Sequence, residues 1–232
     1  MTQLLGLLLK FIYDMIGHYA WAIIVFTLVI KLALLPLTHA QNRSMRSMQE
    51  LQPKIDEIKK KYPNNQEKQS QLTLELYREY KINPFMGCLP LLVQIPILFG
   101  LFRVLRDPVQ YVFSTEAAYQ AADQGFFWVG SMSQPDVIMM GTIAVPFILP
   151  IVAAVATYID SALMQKGQPK NQMTTTMTYM MPIMILMWGK SFPAGLSLYW
   201  AVSNIFSILQ KQLIKPDPAA TPPDTKSKGA KK

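Results

Sequence analysis

The sequence predicts an all-α integral membrane protein: five transmembrane helices, an interfacial helix at the N-terminus and a cytoplasmic helical hairpin. Three observations carry this expectation. The 232 residues are 51% apolar and only 16% charged, too few charges to clothe a soluble globule of that size. The apolar residues fall in long blocks, and charge-poor blocks of roughly 18 residues or more read as membrane spans. The basic residues are distributed unevenly between the loops, with nine Lys/Arg in 40–83 and none in 107–136. The net charge of +8 therefore reads as topology and not as a nucleic-acid surface.

Residues 1–18 form the first expected element. The apolar stretch 3–17 would make a helix of roughly 22 Å, shorter than the roughly 30 Å hydrocarbon core. Gln3, Lys10, Asp14 and Gly17 fall close to one stripe, so this helix is expected to lie flat in the interface; a first spanning helix is the alternative. No basic n-region or A-x-A-like cleavage site marks a signal peptide. The five spans are expected at about 20–38, 84–106, 137–159, 174–190 and 194–213. They make up a core of 19–213. Prolines 90, 96, 146, 150 and 182 lie inside these spans, where neighbouring helices can satisfy the freed carbonyls, so they read as kinks.

Loop charges set the orientation. By the positive-inside rule, 40–83, the loop 160–173 with Lys166 and Lys170, and the basic tail are cytoplasmic; the N-terminus and 107–136 are outside. Segment 40–83 is too polar for a span but is patterned. Met45, Met48, Leu51, Ile55, Ile58 and Tyr62 recur at helical steps, Tyr62-Pro63-Asn64-Asn65 signals a turn, and Leu72, Leu76 and Tyr80 mark a return helix. Residues 214–232 are Pro-, Lys- and Ala-rich without periodicity and read as a disordered tail.

Lys31 carries the most chemical information. Counted from the expected end of its span, it lies roughly 12 Å along the helix, where a Lys costs roughly 2.5–3.5 kcal/mol. No acid lies inside the other spans to pair with it, since Asp107, Asp136 and Asp160 fall at span ends. A water-filled cavity open to the cytoplasm would hold such a charge; snorkelling to the headgroups is the competing reading. Thr27, one turn away, extends the polar strip. Gln94 and Asn204 are intramembrane amides, the latter beside Tyr199-Trp200 and Ser203. Singly each reads as a hydrogen-bonded link between helices; together with Lys31 they point to a shared polar groove.

The fourth span carries Met173, Met177, Met180, Met181, Met184 and Met187 close to one helical face. Methionine surfaces accept varied apolar partners, although ordinary packing is the commoner use of such a stripe. Nothing points to catalysis. One cysteine, Cys88, excludes an intrachain disulfide, His18 and His39 have no ligand-like spacing, and no phosphate loop is present. Enzymatic activity, a metal and a cofactor are therefore not expected. A small transporter would call for paired intramembrane acids or repeat symmetry, and neither is evident.

These stretches resemble the YidC-type membrane protein insertases, including mitochondrial and chloroplast relatives. The resemblance is carried by Val29-Ile30-Lys31 with Leu35-Pro36-Leu37-Thr38, and by Leu51-Gln52-Pro53-Lys54-Ile55. It continues through Asn83-Pro84, Gly87-Cys88-Leu89-Pro90-Leu91-Leu92 and Gln94-Ile95-Pro96-Ile97. Phe192-Pro193-Ala194-Gly195-Leu196, Leu198-Tyr199-Trp200 and Ser203-Asn204 complete it. Phe127-Trp128 and Pro135-Asp136 match in the external loop, and the likeness covers about 1–213. It implies a five-helix core around a hydrophilic groove open to cytoplasm and lipid, in a multi-pass inner (plasma) membrane protein. It also implies insertion and chaperoning of nascent membrane-protein clients without nucleotide hydrolysis or a small-molecule substrate. The groove roles fall on Lys31, Thr27, Gln94, Tyr199, Trp200 and Asn204, and an apolar slide on Met177, Met180, Met181 and Met184. The family usually has Arg at the Lys31 position; Lys keeps the charge but loses the planar fork. The lipid bilayer, the ribosome and the Sec translocon are the implied partners, and the chain resembles the short form without a large periplasmic domain.

Overall fold

The computed structural model of the chain describes residues 1–83, 89–122, 125–165 and 172–213, in two compact units. The first comprises Met1–Leu35 and most of the chain from Leu91 onward; the second is built on Pro36–Pro90. The loop lysines Lys166 and Lys170, the tail 214–232 and the 84–88 part of the second expected span lie outside the described residues.

In the first unit, α1 (Thr2–Ile16) ends where Gly17 adopts the left-handed conformation (φ 75) and returns its N–H to the Tyr13 carbonyl. Leu5, Leu9 and Ile12 face the core, whereas Leu4, Leu7, Phe11 and Met15 form an exposed stripe. Lys10 and Asp14 make an exposed ion pair at 2.9 Å, one turn apart. Gly6 lets the backbone approach closely, since a Cβ there would lie 2.5 Å from the Tyr111 carbonyl oxygen. Helix α2 (Tyr19–Ala33) buries Tyr19, Ala22, Ile23, Phe26 and Thr27, the recurrence of one helical face. It ends at Ala33, not near residue 38 as expected. Pro36 has no N–H to continue the ladder, and it occupies the first turn of the next helix.

Helix α6 (Leu89–Arg106) buries Leu101, Val104 and Leu105 against this core. Two short helices follow, α7 (Pro108–Tyr111) and α8 (Glu116–Ala122). The expected third span is only partly helical. Residues 137–146 form an antiparallel hairpin, β1 (Val137–Met140) and β2 (Ile143–Pro146), with Met140 opposite Ile143. The fold is therefore mostly helical and not all-α. Val, Ile and Met suit extended chain, Gly141 takes the positive φ (66) of a two-residue turn, and Pro146 closes the strand. Helix α9 (Ile148–Gln165) starts only after this hairpin. Its first turn is capped by Asp136, whose carboxylate accepts the Leu149 N–H at 2.8 Å.

Helices α10 (Gln172–Gly189) and α11 (Ala194–Leu213) complete the unit; α11 packs on both α9 and α2, and α10 packs on α9. Among the described residues only Ile148–Gln165 is long and apolar enough by itself to cross a membrane. The bent pair Tyr19–Ala33 and Leu35–Glu50 passes the same criterion when taken together. Helices α6 and α11 have the length, 18 and 20 residues, but Gln94, Arg103 and Arg106 dilute the first. Asn204, Gln210, Lys211 and Gln212 dilute the second. Exposed apolar side chains nevertheless run along α9 (Ile151, Val155, Ile159) and α10 (Met180, Ile183, Met187), more than a water-facing surface carries.

The second unit is three helices and not two: α3 (Leu35–Glu50), α4 (Gln52–Lys61) and α5 (Gln66–Glu79). Pro53 near the start of α4 accounts for the break at Leu51. The turn falls at residues 62–65, and the Asn65 side chain caps α5 by accepting the Lys68 N–H at 2.9 Å. The core here is small: Leu51, Ile55 and Tyr77, flanked by Met48, Leu76, Tyr80 and Ile82. Tyr77, absent from the expected return face, is its largest buried side chain, and burial pushes its hydroxyl pKa above the ordinary value. So small a cluster makes each member count. Replacing Ile55 by Ala should destabilise the α4–α5 pair by about 2–5 kcal/mol. Hydrogen–deuterium exchange should accelerate across 52–79 while α9 and α11 keep their protection.

Candidate functional site

Helix α11 is the organising element, because two polar ridges run along it at four-residue steps. Tyr199, Ser203, Ser207 and Lys211 form one; Trp200 and Asn204 form the other. On the first ridge Gln94 of α6 donates its amide N–H to the buried Tyr199 hydroxyl at 2.8 Å, and Tyr199 also hydrogen-bonds Ser203. Ser207 donates to the Ser203 carbonyl at 3.0 Å and accepts from the Lys31 ammonium at 2.9 Å. On the second ridge the Thr157 hydroxyl of α9 accepts from Trp200 Nε1 at 3.1 Å and from Asn204 Nδ2 at 2.7 Å. It donates to its own Ala153 carbonyl at 2.7 Å. Lys211 pairs with Asp160 at 2.8 Å and also reaches the Asp160 carbonyl oxygen at 3.2 Å.

Five of the six expected groove residues thus join networks that converge on α11: Lys31, Gln94, Tyr199, Trp200 and Asn204. Thr27 is fully buried and directs its hydroxyl to the Ile23 carbonyl of its own helix at 2.7 Å. Two expectations about Lys31 change. It stands in the last turn of α2, two residues before Ala33, where the helix dipole favours a cation, and not deep inside a longer helix. Asp160, expected at a span end, is well inside α9, close enough to act on Lys31 electrostatically, but it is held by Lys211. Among the described residues the only hydrogen-bond partner of Lys31 is therefore the neutral Ser207.

The methionines do not share one face. Met181 packs inward against Ala153, Ala154, Ile185 and Ala201, while Met180 is exposed and Met184 half-buried. Met177 belongs to α10, and its side chain lies outside the described residues. Sequence reasoning missed Thr157, Ser207 and the Asp160–Lys211 pair. The signal was present in the four-residue spacing of Ser203, Ser207 and Lys211, and in Thr157 and Asp160 one turn apart. Among the described residues no group of His, Cys, Asp and Glu could hold a metal ion.

A mostly helical chain with apolar outer faces and a polar seam between its helices has the build of a membrane protein. The family model described as 60Kd inner membrane protein matches residues 11–220. A membrane protein insertase YidC of Fusobacterium nucleatum is 37% identical over 215 residues, covering 92% of this chain and 94% of the relative. YidC of Caldanaerobacter subterraneus is 39% identical, covering 90% of this chain and 91% of the relative. YidC 1 of Lactococcus lactis is 43% identical, covering 83% and 66%. A crystal structure titled as an active YidC insertase with its first transmembrane domain resolved superposes with a TM-score of 0.67 at 29% identity. It covers 91% of this chain, which spans 45% of that longer one. The chain belongs to this family, the YidC membrane protein insertases of the inner cell membrane.

The seam has a measurable stability. Thr157→Val keeps the shape but leaves Trp200 Nε1 and Asn204 Nδ2 without their shared acceptor. The loss should be about 1–3 kcal/mol, seen as a lower thermal midpoint in detergent, with α4 and α5 unaffected. The double variant Thr157→Val with Asn204→Leu should recover part of it, because both partners are then apolar.

Proposed function

We propose that the chain inserts nascent membrane proteins into the bilayer from the cytoplasm, with the polar face of α11 and Lys31 receiving the client's polar segment. The observation that carries this reading is the state of Lys31. It is a cation at a helix–helix seam, hydrogen-bonded by a neutral hydroxyl while the nearby carboxylate serves another lysine. An acidic client segment entering this seam exchanges the hydrogen bond to the neutral Ser207 for an ion pair with a carboxylate, in surroundings of lower dielectric than water. The client's apolar segment then passes along α6 and α10, over Met180 and Met184, into lipid. Burial of its apolar surface supplies the driving force, so neither nucleotide nor cofactor is required.

The arrangement takes five spans, α2, α6, α9, α10 and α11, with the N-terminus outside and the C-terminus in the cytoplasm. Helix α1 lies in the outer interface on its exposed Leu4, Leu7, Phe11 and Met15 stripe. The positive-inside distribution of 40–83 against 107–136 supports this orientation. Helices α4 and α5 stand in the cytoplasm as the receiving element for clients. The ribosome and the Sec translocon are the partners that would deliver them.

Photocrosslinkers at positions 31, 94 and 184 should form adducts with a ribosome-stalled single-spanning chain. Those adducts should vanish when its apolar segment is made polar. Lys31→Gln should slow insertion of acidic-tailed clients about tenfold, equivalent to about 1.4 kcal/mol, while Lys31→Arg keeps near-normal rates. Wild-type rates for acidic-tailed clients in Lys31→Gln would remove the electrostatic step.

A further inference from the structure

We infer that residues 125–146 form a two-pronged wedge seated in the outer leaflet, at the boundary between headgroups and acyl chains. The inference rests on the membrane orientation proposed above. The first prong is a tight turn in which Phe126 and Val129 exchange backbone hydrogen bonds at 2.7 and 2.9 Å, leaving Phe127 and Trp128 as its two central residues. Two-residue turns of this kind favour Asn or Gly, because the backbone must enter the left-handed region. Here Phe127 does so, at φ 53, and its ring is 83% exposed. A bulky residue held in a strained conformation in order to display an apolar ring marks a site where the local rule yields to function. In water both the strain and the exposure are costs. With the ring in lipid, the exposure becomes favourable burial.

The second prong is the β1–β2 hairpin, which keeps the orthodox glycine at its turn. Its register puts Ile138, Met140 and Ile143 on one face, exposed at 46, 66 and 66%. Met139, on the opposite face, is 61% exposed. A hairpin apolar on both faces has no side made for water. Its strand edges carry unpaired backbone groups, which the acyl core does not accept, so the boundary region is the depth that satisfies both conditions. The two prongs share one root. The Asp136 carboxylate accepts from Trp128 Nε1 at 3.2 Å and from the Leu149 N–H at 2.8 Å, tying the aromatic turn to the first turn of α9.

Two further features identify phospholipid as the occupant. No Lys or Arg occurs between Arg106 and Lys166, so this face is apolar and aromatic without an attraction for acidic proteins. Beside the aromatic turn lies an open cleft of about 470 Å³ lined by His18, Trp21, Phe126, Phe127 and Trp128. His18 Nδ1 is buried there and has no hydrogen-bond partner among the described residues. The apolar surface is continuous in sequence with the exposed side of α9, which meets lipid in the orientation proposed.

The test places a fluorophore at Phe127→Cys or Met140→Cys in a Cys88→Ser chain reconstituted in phosphatidylcholine–phosphatidylglycerol vesicles. Spin-labelled lipids carry the quencher near the headgroup or deep in the acyl chain, and iodide reports water. Val155→Cys on α9 and Glu57→Cys on α4 serve as references. The wedge predicts quenching at 127 and 140 at least about twofold stronger from the shallow label than from the deep one, with little effect of iodide. Val155 should respond best to the deep label and Glu57 only to iodide. Iodide quenching at 127 and 140 with Val155 still in lipid overturns the wedge and leaves the membrane reading intact. Iodide quenching at Val155 as well overturns the membrane reading itself. Disulfide-linked dimers through position 140 would also overturn it, in favour of a contact between copies. The brominated-lipid quenching lost on Trp128→Phe gives the same answer without a label.

Discussion

Helix α11 carries Tyr199, Trp200, Ser203, Asn204, Ser207 and Lys211 through the middle of an apolar bundle, and each of those groups needs a partner. Away from water an unpaired hydroxyl or amide costs several kcal/mol, more than most single packing contacts contribute. That constraint selects the neighbours of α11. Gln94 brings α6, Lys31 brings α2, and Thr157 and Asp160 bring α9. Apolar packing alone would let these helices rotate or slide with little penalty. The hydrogen bonds fix their register, because a one-residue slip of α11 would break both ridges at once.

The same constraint explains which parts of the fold the sequence made legible. The bounds of α11 and α10 are close to those expected, because the Phe192-Pro193 break and the apolar periodicity agree there. The α2 boundary differs because apolar residues continue through Pro36 to residue 38, although Pro36 lies in the first turn of a new helix. The 137–146 run was taken as helix because it is unbroken in hydropathy. A short apolar run does not distinguish strand from helix, and the distinguishing marks were Gly141 and Pro146. Tyr77 went unnoticed because the return face of the hairpin was assigned from Leu72, Leu76 and Tyr80, and a shift of one residue changes which side chain is central. Thr157 was invisible for another reason. Threonine is common in apolar helices, and only the tertiary structure brings two donors to one hydroxyl.

The two units are built on different principles. The first is held by a large core running from Leu9 through Phe26 and Leu105 to Leu196, with the α11 hydrogen bonds inside it. The second rests on three buried apolar side chains, and links such as Lys54 to the Tyr80 hydroxyl are exposed. Local opening free energies follow buried apolar contact, so the second unit opens on a faster scale than the first. Under the proposed function, a receiving element that adapts to varied clients would need this property, whereas a seam that presents one cation at one place would need the opposite.

Lys31 is kept available by a competition between two cations. Asp160 attracts both Lys31 and Lys211, and the closer, doubly hydrogen-bonded partner is Lys211. Had Lys31 taken the carboxylate, an incoming acid would have had to displace a charged partner and leave Asp160 unpaired in a partly buried site, a cost of several kcal/mol. Because Lys31 instead holds a serine hydroxyl, an incoming acid would displace only a hydrogen bond to a neutral acceptor, worth about 1.5–3 kcal/mol, and no ion pair. Ser207 keeps its own link to the Ser203 carbonyl when Lys31 leaves, so no new unsatisfied donor appears. Under the proposed function the Asp160–Lys211 pair favours client capture, since it occupies the carboxylate that acts on Lys31.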